Sequence, residues 1–290
     1  MINIPAKRTI AHLRKEYEAL RIGRESLLRL LAEAEMPEQV YNSNAIENST
    51  LTLKETEKIL LEQSVMRDVS IRELFEAKNL ARVFDYLADK PQLELTTKNM
   101  LLLHQMLLGG ISDDIAGRFR KPGEYVRVGT HIAPAPEHVE ELMGALLRDF
   151  AGSQDEYFLD AIARFHLEFE RIHPFCDGNG RIGRVIINMQ LAKLGFPPVI
   201  IRNKNKREAY YPLFARYLDD KAYDGMSSLL LLALKESLHK RLAYLHGEAI
   251  LTLKDYADGQ TGSIHTLLNR ARRQTIPAFR EKGVWKIAAQ

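Results

Sequence analysis

Twelve consecutive residues, HPFCDGNGRIGR at 173–184, gather an imidazole, a carboxylate, three glycines and two guanidinium groups. Glycines that open a helix leave backbone N–H groups bare and let an anion approach closely. Arg181 and Arg184 add planar cationic forks suited to phosphate oxygens. Asp177 stands next to that anion site, where one carboxylate can help hold Mg²⁺ on phosphate. His173, at the end of the preceding helical stretch, can aim at the same point, and a neutral imidazole there could take a proton from an attacking hydroxyl. Base, metal ligand, anion hole and two arginines together read as a nucleotide-phosphate transferase.

Three other chemistries fit less well. Gly178, Gly180 and Gly183 spell G-x-G-x-x-G, but a dinucleotide site needs a strand before the glycines and an acid about 20 residues later. Here the preceding segment is helical and 202–205 offers no acid. No G-K-[ST] completes a phosphate-binding P-loop. Cys176 lies three residues from His173, yet no second group is evident to orient a Cys–His nucleophile pair.

The elements that must position these residues are overwhelmingly helical. Apolar residues recur every three or four positions over 7–34, a helix expected to end at Pro37. The same periodicity predicts helices over 53–63, 71–88, 96–108 and 136–151. Residues 156–171 carry Phe158, Ile162, Phe165 and Phe169, with Ile172 following, as one apolar face. Residues 181–194 are apolar on nearly every side and belong in the centre of a bundle. Only 123–134 alternates like a strand pair, with Val126 and Val128 before Gly129-Thr130 and His131 after it. The expected fold is therefore mainly α, a helical bundle with one short β-hairpin.

Composition sets further bounds. With 46% hydrophobic and 27% charged residues, the 290-residue chain suits a globular protein. Its longest aliphatic run, 229–234, is far short of the roughly 20 residues that cross a membrane. The N-terminus is charged throughout, so a cytoplasmic protein without a membrane partner is expected. The single cysteine excludes an intramolecular disulfide and a cysteine zinc cluster. From Leu251 onward seven Lys/Arg face three acids, a local +4 that leaves −1 of the chain's +3 for the first 250 residues. In that tail a short helix LKDYA, a turn with Gly259 and Gly262, a helix over 263–273 bearing Arg270, Arg272 and Arg273, and two strands around Lys282-Gly283 read as a small winged helix-turn-helix-like module. DNA is its candidate partner.

The stretch HPFCDGNGRIGR matches HxFx[D/E]GNGRxxR without a gap and resembles the Fic family. The resemblance covers roughly 40–235. It implies a Fic-type helical bundle that transfers AMP from ATP, with Mg²⁺, to a Ser, Thr or Tyr hydroxyl of a target protein. On that resemblance His173 is the base, Asp177 the metal ligand, and the amides of Gly178, Asn179 and Gly180 the anion hole, with the Asn179 side chain as a further donor. Arg181 and Arg184 grip the β- and γ-phosphates. GRFR at 117–120, the hairpin and HIAPAP resemble the family's flap, which aligns the target by strand-like pairing through Val126, Val128, Thr130 and His131. REAYY at 207–211 resembles the segment that closes the adenine pocket, with Tyr210 and Tyr211, although Asp219 and Asp220 stand where some relatives have Asn.

Residues 43–48, SNAIEN, match the family's inhibitory pattern [S/T]xxxE[G/N] and resemble the class with an N-terminal inhibitory helix. The resemblance implies that Ser43 and Glu47 restrain the enzyme. Glu47 would pair with Arg184 and deprive ATP of its γ-phosphate grip. Three regions result: 1–109, helical with the inhibitory motif; 110–249, the Fic core; and 250–290, the basic module. Transfer of another nucleotide, removal of AMP, and a DNA-binding regulator with an ATP-sensing core are the alternatives, and a homodimer is a candidate assembly.

Overall fold

The structure is a computed structural model that describes residues 1–65, 68–204, 206–258 and 263–289. The expected turn at Gly259 and Gly262 lies outside the described residues.

Two helices open the chain, α1 (Ile4–Leu20) and α2 (Glu25–Ile46). The expected helix over 7–34 is thus split at 21–24, and Pro37 lies inside α2 rather than ending a helix. Proline in a helix interior costs about 3 kcal/mol, because it lacks an N–H and crowds the carbonyl four residues earlier. Burial and ion pairing on both sides of Pro37 offset that cost. Glu35 binds Arg241 and Lys240, and Glu38 binds Arg202. Helix α3 (Leu53–Glu57) begins at a Thr52–Glu55 capping box and runs into a π-helical turn, Lys58–Glu62. Ser70 and Thr96 cap α4 (Ile71–Asp89) and α5 (Thr97–Leu108) through their hydroxyls.

The hairpin is shorter than its alternation suggests. Strands β1 (Arg127–Val128) and β2 (His131–Ile132) pair antiparallel, and one further bond joins Ala133 N to Val126 O at 3.1 Å. Helix α6 (Val139–Gly152) follows. At the centre lie α7 (Phe158–Ile172) and α8 (Asn179–Lys193). The sequence marks one apolar face on α7, but two are buried. Phe165, Phe169 and Ile172 pack with α4, α5 and α6. Leu159, Ile162, Ala163 and Leu167 enter a second core with α1 and later helices. α8 contributes Ile182, Val185 and Ile186 to the first core and Ile187 and Leu191 to the second, as an all-round apolar helix must. A π-helical turn, Lys206–Tyr210, leads into α9 (Tyr211–Asp220), and α10 (Asp224–His246) closes the bundle.

The chain ends in β3 (Ala249–Thr252), α11 (Leu253–Asp258), α12 (Ile264–Arg272), β4 (Ala278–Glu281) and β5 (Val284–Ala289). The strands form an antiparallel sheet in the order β3-β5-β4, with Leu251 and Ala278 both opposite Ile287. This unit has a small core of its own, including Leu253, Leu267, Ala271 and Ile287. Phe279 is fully buried, packed with Ala243 of α10. No helix among the described residues is long and apolar enough to cross a membrane.

Candidate active site

Helix α7 ends on His173, which takes the left-handed conformation at φ 51° and ψ 61°. That conformation is uncommon for a non-glycine residue and persists only where the surroundings enforce it. Here the enforcer is Arg120, 3% exposed. Its Nε donates to His173 O at 2.9 Å and its Nη2 donates to Ile172 O and Pro134 O. One guanidinium therefore ties the end of α7 to the segment that leaves the hairpin. His131 adds a second tie, with its Nε2 at 2.9 Å from Arg171 O. Burial holds the His173 imidazole well below its ordinary range, at about 4, so it is neutral at pH 7 and available as a base.

Between His173 and α8 the chain makes a tight loop. Gly178 sits at φ 81°, where a side chain would be strained and would also press on Leu107. Asn179 is buried, and its amide closes a ring with Phe175, accepting from Phe175 N at 2.9 Å and donating to Phe175 O at 2.8 Å. Oδ1 and one of the two N–H groups of Nδ2 thus hold the loop. His104 supports the loop from below. It stacks on Phe175 at 3.8 Å, accepts Gly117 N–H at Nδ1, and meets Asp177 O with Nε2 at 3.0 Å.

Arg181 stands in the first turn of α8. It is 3% exposed and paired with Asp177 at 3.0 Å and with Glu76 of α4 at 3.1 Å. An arginine sunk between two carboxylates anchors α8 and Asp177, and its buried Nε has no hydrogen-bond partner among the described residues. Asp177 is further bound by Arg72 and by the Gly178 N–H. Burial alone would raise its pKa, but Arg181, that N–H and Arg72 outweigh it and keep the carboxylate ionised. One ionised, partly exposed carboxylate fits Mg²⁺ only if phosphate oxygens complete the shell, which is how Mg²⁺ is commonly held. Among the described residues no group of three or more His, Cys, Asp or Glu could hold a metal unaided.

Arg184 is 5% exposed, and its partners are Ser43 and Glu47. Its Nε donates to Ser43 Oγ at 3.0 Å, and its Nη2 donates to Ser43 O at 2.9 Å and to Glu47 Oε1 at 2.8 Å. The pair spans 137 residues of sequence and brings the two motifs together. Burial opposes the Arg184 charge and Glu47 sustains it. The Glu47 carboxylate lies against the first turn of α8, so a methyl group on Gly180 would overlap Oε1. That is the space an anion would need. The end of α2 is held there by Lys206, whose Nζ donates to Ala45 O at 2.6 Å and Ile46 O at 2.9 Å. The Tyr211 hydroxyl donates to Ile46 O at 2.6 Å.

A cavity of about 520 Å³ opens beside these groups. Glu47, His173, Gly180 and Arg184 line it, together with Val128, Thr130 and His131 of the hairpin. Tyr210 and Tyr211 also line it, as does Phe214. Val126, expected in the flap, is not among the residues that line it. Tyr210 is buried, and its hydroxyl meets His166 Nε2 at 2.8 Å. Cys176 points elsewhere: its thiol donates to Glu124, and burial with that partner pushes it up to about 11, which removes a thiolate nucleophile.

Sequence reasoning missed Arg120, His104, Arg72, Glu76, Lys206 and Glu170. Arg120 stands in the quoted GRFR, but nothing in its spacing says that it grips the carbonyl of a residue 53 positions away.

Comparison with known proteins agrees with this geometry. Residues 94–191 match the model of the Fic/DOC family. "Protein adenylyltransferase Fic" of Nematostella vectensis is 36% identical over 180 residues, 60% of this chain and 41% of that protein. The Drosophila willistoni protein of the same name is 34% identical over 203 residues, 68% of this chain and 40% of that one. The chain thus spans about two fifths of the length of these curated relatives. Among solved structures, a Fic family protein from Desulfovibrio desulfuricans G20 covers 100% of this chain and 97% of its own at 25% identity and TM-score 0.65. A Fic domain containing signaling protein from Bacteroides thetaiotaomicron shares the fold at TM-score 0.74 and 23% identity, over 83% of this chain and 97% of its own. The motif, the loop geometry and the fold all agree with the Fic/DOC match over residues 94–191.

Proposed function

We propose that the protein moves AMP from ATP to a Ser, Thr or Tyr hydroxyl of a target protein and that the form described is restrained by Glu47. The single observation that carries this reading is the Glu47 carboxylate on Arg184, at the first turn of α8, beside His173. A carboxylate occupies the place where a phosphate would be gripped. Glu47 is 42% exposed at its side chain whereas Arg184 is buried, so the acid can leave and the arginine stays.

The residues then divide the work. With Glu47 displaced, Arg184 and the amides of the first turn of α8, Gly178 to Gly180, hold the phosphate chain. Tyr210 and Tyr211 border the space for the base. Asp177 would hold Mg²⁺, which when bound offsets negative charge on the phosphate oxygens. The hairpin edge at Val128, Thr130 and His131 lays out the target segment by strand pairing. His173 takes the hydroxyl proton, the oxygen attacks the α-phosphorus, and the bond to the leaving pyrophosphate breaks. Positioning supplies much of the rate in phosphoryl transfer, so a misplaced triphosphate leaves little activity.

The test is mass spectrometry of the Glu47→Gly protein incubated with ATP and Mg²⁺. AMP on the protein should rise about tenfold or more over wild type, and His173→Ala in that background should lower it by roughly 10²–10⁴. No rise on removing Glu47 ends the autoinhibitory reading, and transfer that survives His173→Ala ends the role of the base.

The second expected partner, DNA, is supported by Arg270, Arg272 and Arg273, which stand exposed on α12 and on the residue after it.

A further inference from the structure

Glu170 has no part in the mechanism above, yet it lines the same cavity, one turn before His173 on α7. Its Oε2 lies 3.7 Å from His173 Nδ1, and its own carbonyl oxygen lies 3.4 Å from the same nitrogen. Its Oε1 is buried without a hydrogen-bond partner among the described residues. A buried polar atom left unpaired costs free energy and calls for a reason. The third motif glycine makes room for it: a Cβ on Gly183 would come 2.6 Å from Glu170 Oε1 and 2.9 Å from His166 Nδ1. Gly183 is therefore not an idle repeat of the glycine pattern but the floor on which this acid rests.

We infer that Glu170 is a positioning residue for His173, accepting the Nδ1 proton so that the Nε2 lone pair is turned to the target hydroxyl. The inference rests on the AMP-transfer reading with His173 as base. In the step itself the hydroxyl O–H proton passes to Nε2, the oxygen bonds to the α-phosphorus, and pyrophosphate departs with the electron pair of the broken P–O bond. The imidazolium formed then carries its positive charge beside Glu170, and an ionised Glu170 offsets that charge. A hydrogen bond from the base to an orienting acid is commonly long in an unliganded site and tightens in the working complex.

Five charged or titratable groups face Glu170: Glu47 at the end of α2, Arg184 from α8, His166 from its own helix and His173 at that helix's end, and Tyr210 from the turn before α9. Burial first, and Glu47 second, push the acid up to about 8, while Arg184 pulls it down. The restraining glutamate therefore acts twice. It takes the phosphate grip and it favours the neutral form of Glu170. Withdrawal of Glu47 removes a charge that raises Glu170 and lets it ionise more readily.

The test compares Glu47→Gly with Glu47→Gly/Glu170→Gln over pH 6 to 9, reading kcat and the KM for ATP separately. At the acid end the two should match. Toward the alkaline end the Gln variant should fall behind by about tenfold in kcat while KM stays within about twofold. Superimposable kcat profiles, or a change confined to KM, overturn the inference. NMR of the 290-residue wild-type chain decides the matter even if Glu47→Gly transfers nothing. The His173 ring resonances should then show an inflection near pH 8 that Glu170→Gln abolishes, and its absence, or its survival in the Gln variant, overturns the inference just as surely. Failure of the AMP reading is separate: it shows as no transfer by Glu47→Gly or as indifference to His173→Ala.

Discussion

Three histidines around the site are held neutral by burial: His104 and His173 at about 4 and His166 at about 3. Their ordinary value is 6.5, so an unfolded chain takes up protons on acidification that the folded chain refuses. A depressed histidine therefore costs stability as pH falls from 6.5 toward its folded value. Glu170 has the opposite sign. Its pKa is raised, so its contribution is fully present below 4.5 and is lost as pH rises through about 8. Between pH 6.5 and 4.5 the histidines win by number. Urea midpoints should drop across this window, each histidine adding at most about 1.4 kcal/mol per pH unit. The drop should be steeper in Glu170→Gln, which lacks the offset. A midpoint that stays level over the window in both proteins would contradict the burial argument.

At the scale of elements, α2 carries a proline in its interior and is tied down on both sides of it. It continues through Pro37 and delivers Ser43 and Glu47 to α8, and buried polar contacts join its apolar residues, Val40 and Ile46 among them, in holding it. Glu35 is bound by Arg241 and by Lys240 at 2.9 Å, all of them buried. Removing one partner of such a group leaves the others charged and dry. Glu35→Ala should therefore lower the unfolding free energy by about 3–5 kcal/mol in urea titration, far more than removal of an exposed helix pair such as Arg29–Glu33, worth about 0.3–0.5 kcal/mol. Equal and small effects would mean that the network adds nothing to helix placement. The sequence hides this because a proline in a helical pattern ordinarily reads as a stop, and only contacts from α10 and the loop after α8 outvote it.

At the scale of the whole molecule, the C-terminal unit is docked on the bundle. Arg280 pairs with Glu236 of α10 and stacks on Trp285, and the Lys282 and Gly283 N–H groups donate to Glu38 of α2. Docking therefore uses part of the basic tail, and α12 keeps its arginines outward. A gel shift with the whole 290-residue chain at low salt should retard duplex DNA. Replacing Arg270, Arg272 and Arg273 by Ala should abolish the retardation and flatten its salt dependence, which scales with the phosphates neutralised. Equal retardation of both proteins would place any DNA contact elsewhere.

What the sequence determined by itself was local. HPFCDGNGRIGR states its chemistry because the base, acid, glycines and arginines lie within a few turns of one another, and the helical periods around it are set by side-chain spacing alone. SNAIEN was legible only through resemblance to a family. The tertiary structure decided which polar groups are free. Asn179 and Arg181 look alike as phosphate ligands in the sequence, and folding pairs one with Phe175 and the other with Asp177 and Glu76. Arg120, Lys206 and Glu170 carry no signal in the sequence, since their partners lie on distant segments or are defined only by burial. A hydrogen bond is satisfied in three dimensions, so the residue types set what the site could do and packing set which of them remain to do it.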